Sequence, residues 1–271
     1  GYDTVLMSSN HTNDAGTDGI TGTVKKIRKR GLNVAGSRLN EDEPRYQMND
    51  INGVKVAIVS YVYGTGTKNA RELNANPLSA EAIPLVNSFS YENFSEDFKE
   101  IKETVSEARK AGADIVIAYF HWGEEYQYHS NEWQQMIAKK TANEADVDVI
   151  VGSHPHVPQE KDVIKTETGK EVPVYYSMGN LISNQRMEIL EEGRGTEAGN
   201  MVKFTFTVDK SSKQVLDIKD KAIPYWLDMY GSGLKKYTII PLTKGFEDNK
   251  FLKGSGHVEI AKSVKSMLKN V

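Results

Sequence analysis

Apolar positions in this chain follow two rhythms that alternate along much of its length. Asp3 to Met7, Asp114 to Phe120 and Val147 to Val151 are short runs rich in β-branched and apolar residues, as expected of strands buried on both faces. Phe98, Ile101, Val105 and Ala108 instead repeat at helical spacing, behind a candidate N-cap at Ser95 and ahead of Gly112. A further helix is expected from about Asn131 to Glu144, with Trp133, Met136 and Ile137 on its apolar face. An earlier one, Gly19 to Arg30, ends at Gly31 and leads into a short strand at Leu32 to Ala35. Strands and helices in alternation predict an α/β layer architecture.

Tyr46 to Tyr61 contains Asn52-Gly53 between two strand-like runs, the composition of a tight hairpin turn. No period persists from Tyr63 to Phe94, where Gly, Asn, Pro and Ser are frequent, so a long loop is expected there. Runs near Val172 to Ser177, Met201 to Val208 and Val215 to Ile223 predict a second sheet. The remainder is Lys-rich, with Gly254 and Gly256 ahead of a terminal helix from about Val258, and carries no recognisable chemistry. These patterns divide the chain into a main domain, residues 1–241, and a C-terminal extension, 242–271, with no internal repeat or low-complexity tract.

Composition narrows the function classes. With 271 residues, 38% of them hydrophobic, the chain can bury a full core. A net charge of −3 argues against a general nucleic-acid binder, and no nucleic-acid partner is expected. The one dense basic run, Lys25 to Arg30, reads as the solvated face of a helix. Absence of cysteine removes thiolate metal sites, thiol catalysis and disulfides together, without fixing the compartment.

The candidate chemistry lies in histidines at strand ends. Of the six in the chain, only His129 and His257 fall outside Ser9-Asn10-His11, His121-Trp122-Gly123-Glu124-Glu125-Tyr126 and Gly152-Ser153-His154-Pro155-His156. Strand ends of an α/β sheet are where loops distant in sequence meet in one crevice, and neutral imidazole is the commonest metal ligand. His121, His154 and His156 are therefore expected to converge with Asn10 around metal, the plainer alternative being a structural hydrogen-bonded cluster.

At these residues the chain resembles the metallophosphoesterase superfamily. Asn10-His11 match its Gly-Asn-His element, His121 its lone histidine, and Gly152 to His156 its Gly-His-x-His element with Ser153 inserted. A narrower likeness is to the CapA-type poly-γ-glutamate capsule biosynthesis proteins. It rests on Asn-His-x-x-Asp-x-Gly at 10–16, His-x-Gly-x-Glu-Tyr at 121–126, His-Pro-His-Val at 154–157 and Tyr-Ser-Met-Gly-Asn at 176–180, and covers about residues 1–225.

That resemblance implies a layered αββα sandwich of two mixed sheets flanked by helices. It also implies a two-metal site for Zn, Mn or Fe, with Asn10, His121 and His154 on one ion and His156 on the other. His11 would be the general acid, oriented by Asp14. Glu125 would orient His121 or hold substrate unless it is a solvated loop acid. Tyr126 would pack on the site or contact substrate, with packing the plainer role. Ser177 and Asn180 would hydrogen-bond behind the ligands or simply form a turn that caps the strand. Arg186 and Arg194 are either anion-recognising or, flanked by acids, solvated. The implied substrate is an anionic polymer or phosphoester, the implied partners are other polymer synthesis and export subunits, and the implied place is the extracellular face of the bacterial membrane.

The family's first carboxylate-bearing strands precede the Asn-His motif by many residues, whereas this sequence opens at Gly1-Tyr2-Asp3. The expectation is of a domain incomplete at its N-terminus, whose metal site is short of anionic oxygen ligands and whose anchor lies elsewhere. Function then divides between a metal-dependent hydrolase and a non-catalytic polyanion-binding accessory subunit. A nucleotide phosphatase, with Trp122, Tyr126 and Tyr128 sandwiching a base, ranks third.

Overall fold

Parallel pairing between strands that are distant in sequence sets the architecture. The computed structural model describes residues 1–187 and 193–270. In chain order these form β1 (Thr4–Leu6), α1 (Gly16–Lys29), β2 (Asn33–Ala35), β3 (Tyr46–Ile51), β4 (Val54–Thr67), β5 (Ala70–Leu73), β6 (Asn76–Pro77) and β7 (Ser88–Ser90). They continue with α2 (Phe94–Lys110), β8 (Ile115–His121), α3 (Glu132–Glu144), β9 (Val149–Ser153), β10 (Lys161–Lys165) and β11 (Glu171–Tyr175). Last come β12 (Ala198–Val208), β13 (Val215–Tyr230), β14 (Lys236–Pro241), α4 (Lys250–Ser255) and α5 (Val258–Met267).

A nine-stranded mixed sheet runs β10-β11-β9-β8-β4-β5-β6, with β3 and β7 also paired to β4. Its centre, β4-β8-β9-β11, is parallel, and register places Val62 beside His121 and His121 beside Ser153. A small parallel pair, β1-β2, and an antiparallel sheet, β12-β13-β14, complete the strands.

Alternation along β8 explains the layering. Val116, Ala118 and Phe120 point to one face, where Phe98, Ile101 and Val105 of α2 and Ile137, Ala138 and Ala142 of α3 cover them. Each Val, Ile or Phe among them contributes about 1.5–3 kcal/mol by leaving water. Ile117 and Tyr119 point to the other face and meet Phe204, Phe206 and Ile218 of the second sheet. Further along that sheet, Trp226 and Ile240 pack against Leu252, Ala261 and Val264 of the C-terminal helices. Helices thus flank packed sheets, the α/β layering that the resemblance implies.

Several sequence expectations need correction. The strand expected at Val172 to Ser177 does not join the second sheet: β11 lies parallel to β9 in the large one. The loop expected from Tyr63 to Phe94 contains the end of β4 and the short strands β5, β6 and β7. It is tied down by a buried ion pair, Arg71 Nη2 to Asp97 Oδ2 at 2.6 Å. Helix α2 is preceded by Asn93 rather than by Ser95 as N-cap.

Candidate functional site: histidines at the strand ends

Parallel neighbours end together, so β8 and β9 deliver their next residues to one place. His121 closes β8, while His154 and His156 follow β9 directly. Asn10 and His11 arrive from the turn after β1. The rings of His121 and His154 are 4.8 Å apart and those of His154 and His156 are 6.2 Å apart. His121 Nε2 donates to Asn10 Oδ1 at 3.1 Å. The expected convergence of His121, His154, His156 and Asn10 is therefore present.

The loop that holds this arrangement is strained. His154 has φ 111°, His156 φ 63° and Tyr126 φ 65°, conformations that non-glycine residues rarely adopt and that cost about 1–3 kcal/mol each. Gly152, at the end of β9, allows the close packing beneath it, since a Cβ there would lie 2.1 Å from the Tyr176 carbonyl oxygen and 2.3 Å from Trp122 Nε1. Trp122 itself is fully buried, stacked on Phe120 and donating to Tyr176 O at 2.9 Å. It cannot stack on a nucleotide base, so of the three aromatics named for a base sandwich only Tyr126 and Tyr128 remain accessible.

Hydrogen bonds fix the imidazoles individually. His156 Nδ1 donates to Asn180 Oδ1 at 2.8 Å, leaving Nε2 facing Glu125 Oε1 at 3.5 Å. Tyr126 stacks on the same ring, and its hydroxyl accepts from Gln185 Nε2 at 3.2 Å. Asn180 Nδ2 donates to Gln185 Oε1 at 3.0 Å, so Gln185 braces both neighbours of His156. No sequence motif singled out Gln185. Ser177 works one step further back, its hydroxyl donating to Val157 O at 2.8 Å and so holding the chain just after His156. Glu124 is exposed.

His11 Nδ1 donates to Asp14 Oδ2 at 2.8 Å, and both side chains are more than half exposed. This leaves the His11 Nε2 edge open to solvent. His129 and His257 stand apart: the first faces Glu160 at 3.9 Å, the second donates to the buried Asp228 at 2.6 Å.

Electrostatics keep the central imidazoles neutral. Burial first, then the nearby His154, His156 and His11, holds His121 well below the ordinary histidine value. Burial likewise lowers His154 to about 4, against a smaller upward pull from Glu125. His154 Nδ1 is buried with no hydrogen-bond partner among the described residues. An unpaired buried nitrogen is costly unless something fills its direction.

These features fit one side of a metal shell: neutral imidazoles, an amide oxygen and an unpaired ring nitrogen. Among the described residues, however, no group of three His, Asp or Glu side chains is already arranged to hold an ion.

Arg186 departs from both expectations. The side chain is buried, its Nη2 lying 3.2 Å from Glu197 Oε2 and its Nη1 donating to Leu227 O at 2.6 Å. It is neither solvated nor available to an anion, because an internal carboxylate already meets its charge. The side chain of Arg194 and residues 188–192 lie outside the described residues.

Residues 1–185 match the family model for the bacterial capsule synthesis protein PGA_cap, and the chain belongs to that family. It is 30% identical over 188 residues to the capsule biosynthesis protein CapA of Bacillus anthracis, covering 68% of this chain and 41% of that protein. It is 31% identical over 185 residues to the PGA biosynthesis protein CapA of Bacillus subtilis strain 168, covering 67% of this chain and 43% of that one. The chain thus spans about two fifths of the length of these relatives. A crystal structure of the calcineurin-like phosphoesterase YfkN from Bacillus subtilis is 19% identical, with a TM-score of 0.44 over 82% of this chain and 63% of that one.

Proposed function

We propose that this chain carries the histidine side of a divalent-metal site in a protein of poly-γ-glutamate capsule biosynthesis. The observation that carries the reading is the meeting of neutral His121 and His154, with its unpaired Nδ1, at the Asn10 amide. Asn10, His121 and His154 would hold one Zn, Mn or Fe ion, and His156, braced by Asn180 and facing Glu125, would serve a second. Such ions supply Lewis acidity toward a phosphoryl or carbonyl oxygen.

The chain's own residues divide the remaining work. Asp14 holds the His11 proton on Nδ1, which directs Nε2 outward as the site of proton exchange with a leaving group. Glu125 and Tyr126 line the approach to His156. The substrate class is an anionic envelope polymer or a phosphoester. Membrane-bound synthesis and export subunits are the proposed partners, at the extracellular face of the membrane. No helix among the described residues is long and apolar enough to cross a membrane.

A second reading keeps the fold and discards the turnover: an accessory subunit that binds the polyanion. The histidine-rich site argues for the first reading, because polymer binding alone needs neither neutral imidazoles nor an exposed His11–Asp14 pair. Two substitutions separate them. His154→Ala should lose bound metal and any hydrolysis of a phosphodiester together. His11→Ala should retain metal and lose about a hundredfold to ten-thousandfold in rate, the span of general acid catalysis. Full polymer output in cells from both variants, shown to be folded, would reject the catalytic reading.

A further inference from the structure

Away from the histidines, Arg38 presents a buried cation with no carboxylate hydrogen-bonded to it among the described residues. Its side chain is almost fully buried, Nη1 donates to Asn87 Oδ1 at 2.7 Å, and Nη2 donates to Pro84 O. Both acceptors are neutral. The third donor, Nε, is buried and has no partner among the described residues. Arg45 Nη1 donates to the same Asn87 oxygen at 3.1 Å, so two guanidinium groups converge on one uncharged atom.

Neighbouring acids are already engaged. Glu43 takes both oxygens to Arg28, at 2.6 and 3.1 Å. Glu100 is shared between Arg45 at 3.2 Å and Lys68 at 2.6 Å. Arg38 therefore feels Glu100 and Glu43 only through space, each of them held by another cation. A buried charge without its counter-ion costs several kcal/mol. Beside these groups lies a cavity of about 50 Å³ lined by Ser37, Arg38, Arg45 and Asn87 among others, with Glu43 also in its wall but neutralised by Arg28. A water needs about 10–15 Å³ on the same measure, so the space suits a handful of heavy atoms.

We propose that this cavity is a binding site for one small oxyanion group, a carboxylate or a phosphate, separate from the histidine centre. Arg38 supplies the buried charge, and the half-buried Arg45 closes the outer side. Glu41, Asp42, Glu103 and Glu107 line a depression next to it and are exposed to solvent. They oppose long-range attraction of an anion, so recognition here is by short contacts inside the cavity. Ser37 ties the site to the β1 end through its bond to Met7 O at 2.6 Å, three residues before Asn10.

The test is thermal unfolding of the whole chain in EDTA, at constant ionic strength, with inorganic phosphate or acetate replacing chloride. The midpoint should rise and then follow the saturating linkage expected of one site. In Arg45→Gln the half-saturating concentration should increase about tenfold or more, the effect of losing a charge-assisted hydrogen bond. His154→Ala should leave it unchanged. Saturation by acetate assigns the site to carboxylates, and saturation by phosphate alone assigns it to phosphoryl groups; either supports the proposal. An equal response to every anion, no effect of Arg45→Gln, or loss of the response in His154→Ala would overturn it. Arg38→Gln serves as a second variant, with circular dichroism reporting whether it folds.

Discussion

Asn10 Oδ1 accepts a hydrogen bond from His121 Nε2 at 3.1 Å, across 111 positions of sequence. An amide oxygen can only accept, so His121 carries its proton on the nitrogen that faces Asn10. A cation bound between the two must displace that proton, so the neutral ring switches tautomer and carries its proton on Nδ1. Asn10 is partly exposed, so its loss should cost little stability. Asn10→Ala is expected to weaken zinc or manganese binding at least about tenfold, in the range found when groups supporting a metal site are removed. Calorimetric titration of the metal-stripped protein would check this. Unchanged affinity would remove Asn10 from the ligand set.

The strands that deliver the histidines were legible because central parallel strands are buried on both faces and read as unbroken apolar runs. β8 and β9 have that form, and the turns after them carry the family motifs. Partner choice was not legible. β11 looks locally like any short strand, and only the pairing of Val174 with Ile150 assigns it to the large sheet. The short strands β5 to β7 were hidden by Gly, Asn and Pro, because long-range contacts to Arg71 and Asp97 order them rather than any local period. Arg38, and the burial of Arg186, escaped for a related reason. Charged and amide side chains usually lie outside, so tertiary packing alone announces a buried one.

The Arg71–Asp97 pair gives the second expectation. Asp97 Oδ2 accepts from Arg71 Nη2 at 2.6 Å and from Ser90 N at 2.8 Å, with both charged side chains buried. Asp97→Ala leaves the guanidinium uncompensated and should cost about 3–5 kcal/mol in urea unfolding. A loss below about 1 kcal/mol, the level of an exposed pair, would mean that water reaches Arg71.

The C-terminal residues give a third. A boundary at 241 would make 242–271 an extension, yet Leu252 is fully buried with Trp226 and Ile240 of the second sheet. We expect one cooperative transition for the whole chain, with Leu252→Ala lowering its stability by about 2–5 kcal/mol. Two separate calorimetric transitions, only one of them moved by the substitution, would instead establish an independent unit.

Acidification gives the last. Burial lowers His154 in the folded protein to about 4, against about 6.5 in an unfolded chain. Between these values the unfolded state binds the proton and the folded state does not, so stability must rise with pH through this window and fall as pH drops from 6.5 toward 4. Below both values the contribution stops changing. For His154 alone the loss is on the order of 3 kcal/mol, and the lowered His121 acts in the same direction. Urea unfolding of protein stripped of divalent ions, at pH 7.5 and pH 4.5, should therefore show a large drop that His154→Gln reduces. Added zinc should steepen the dependence, because it binds only the neutral imidazole. If wild type and His154→Gln lose equal stability over the same interval, then His154 is hydrated in solution, and the case for a preformed neutral ligand at the end of β9 fails with it.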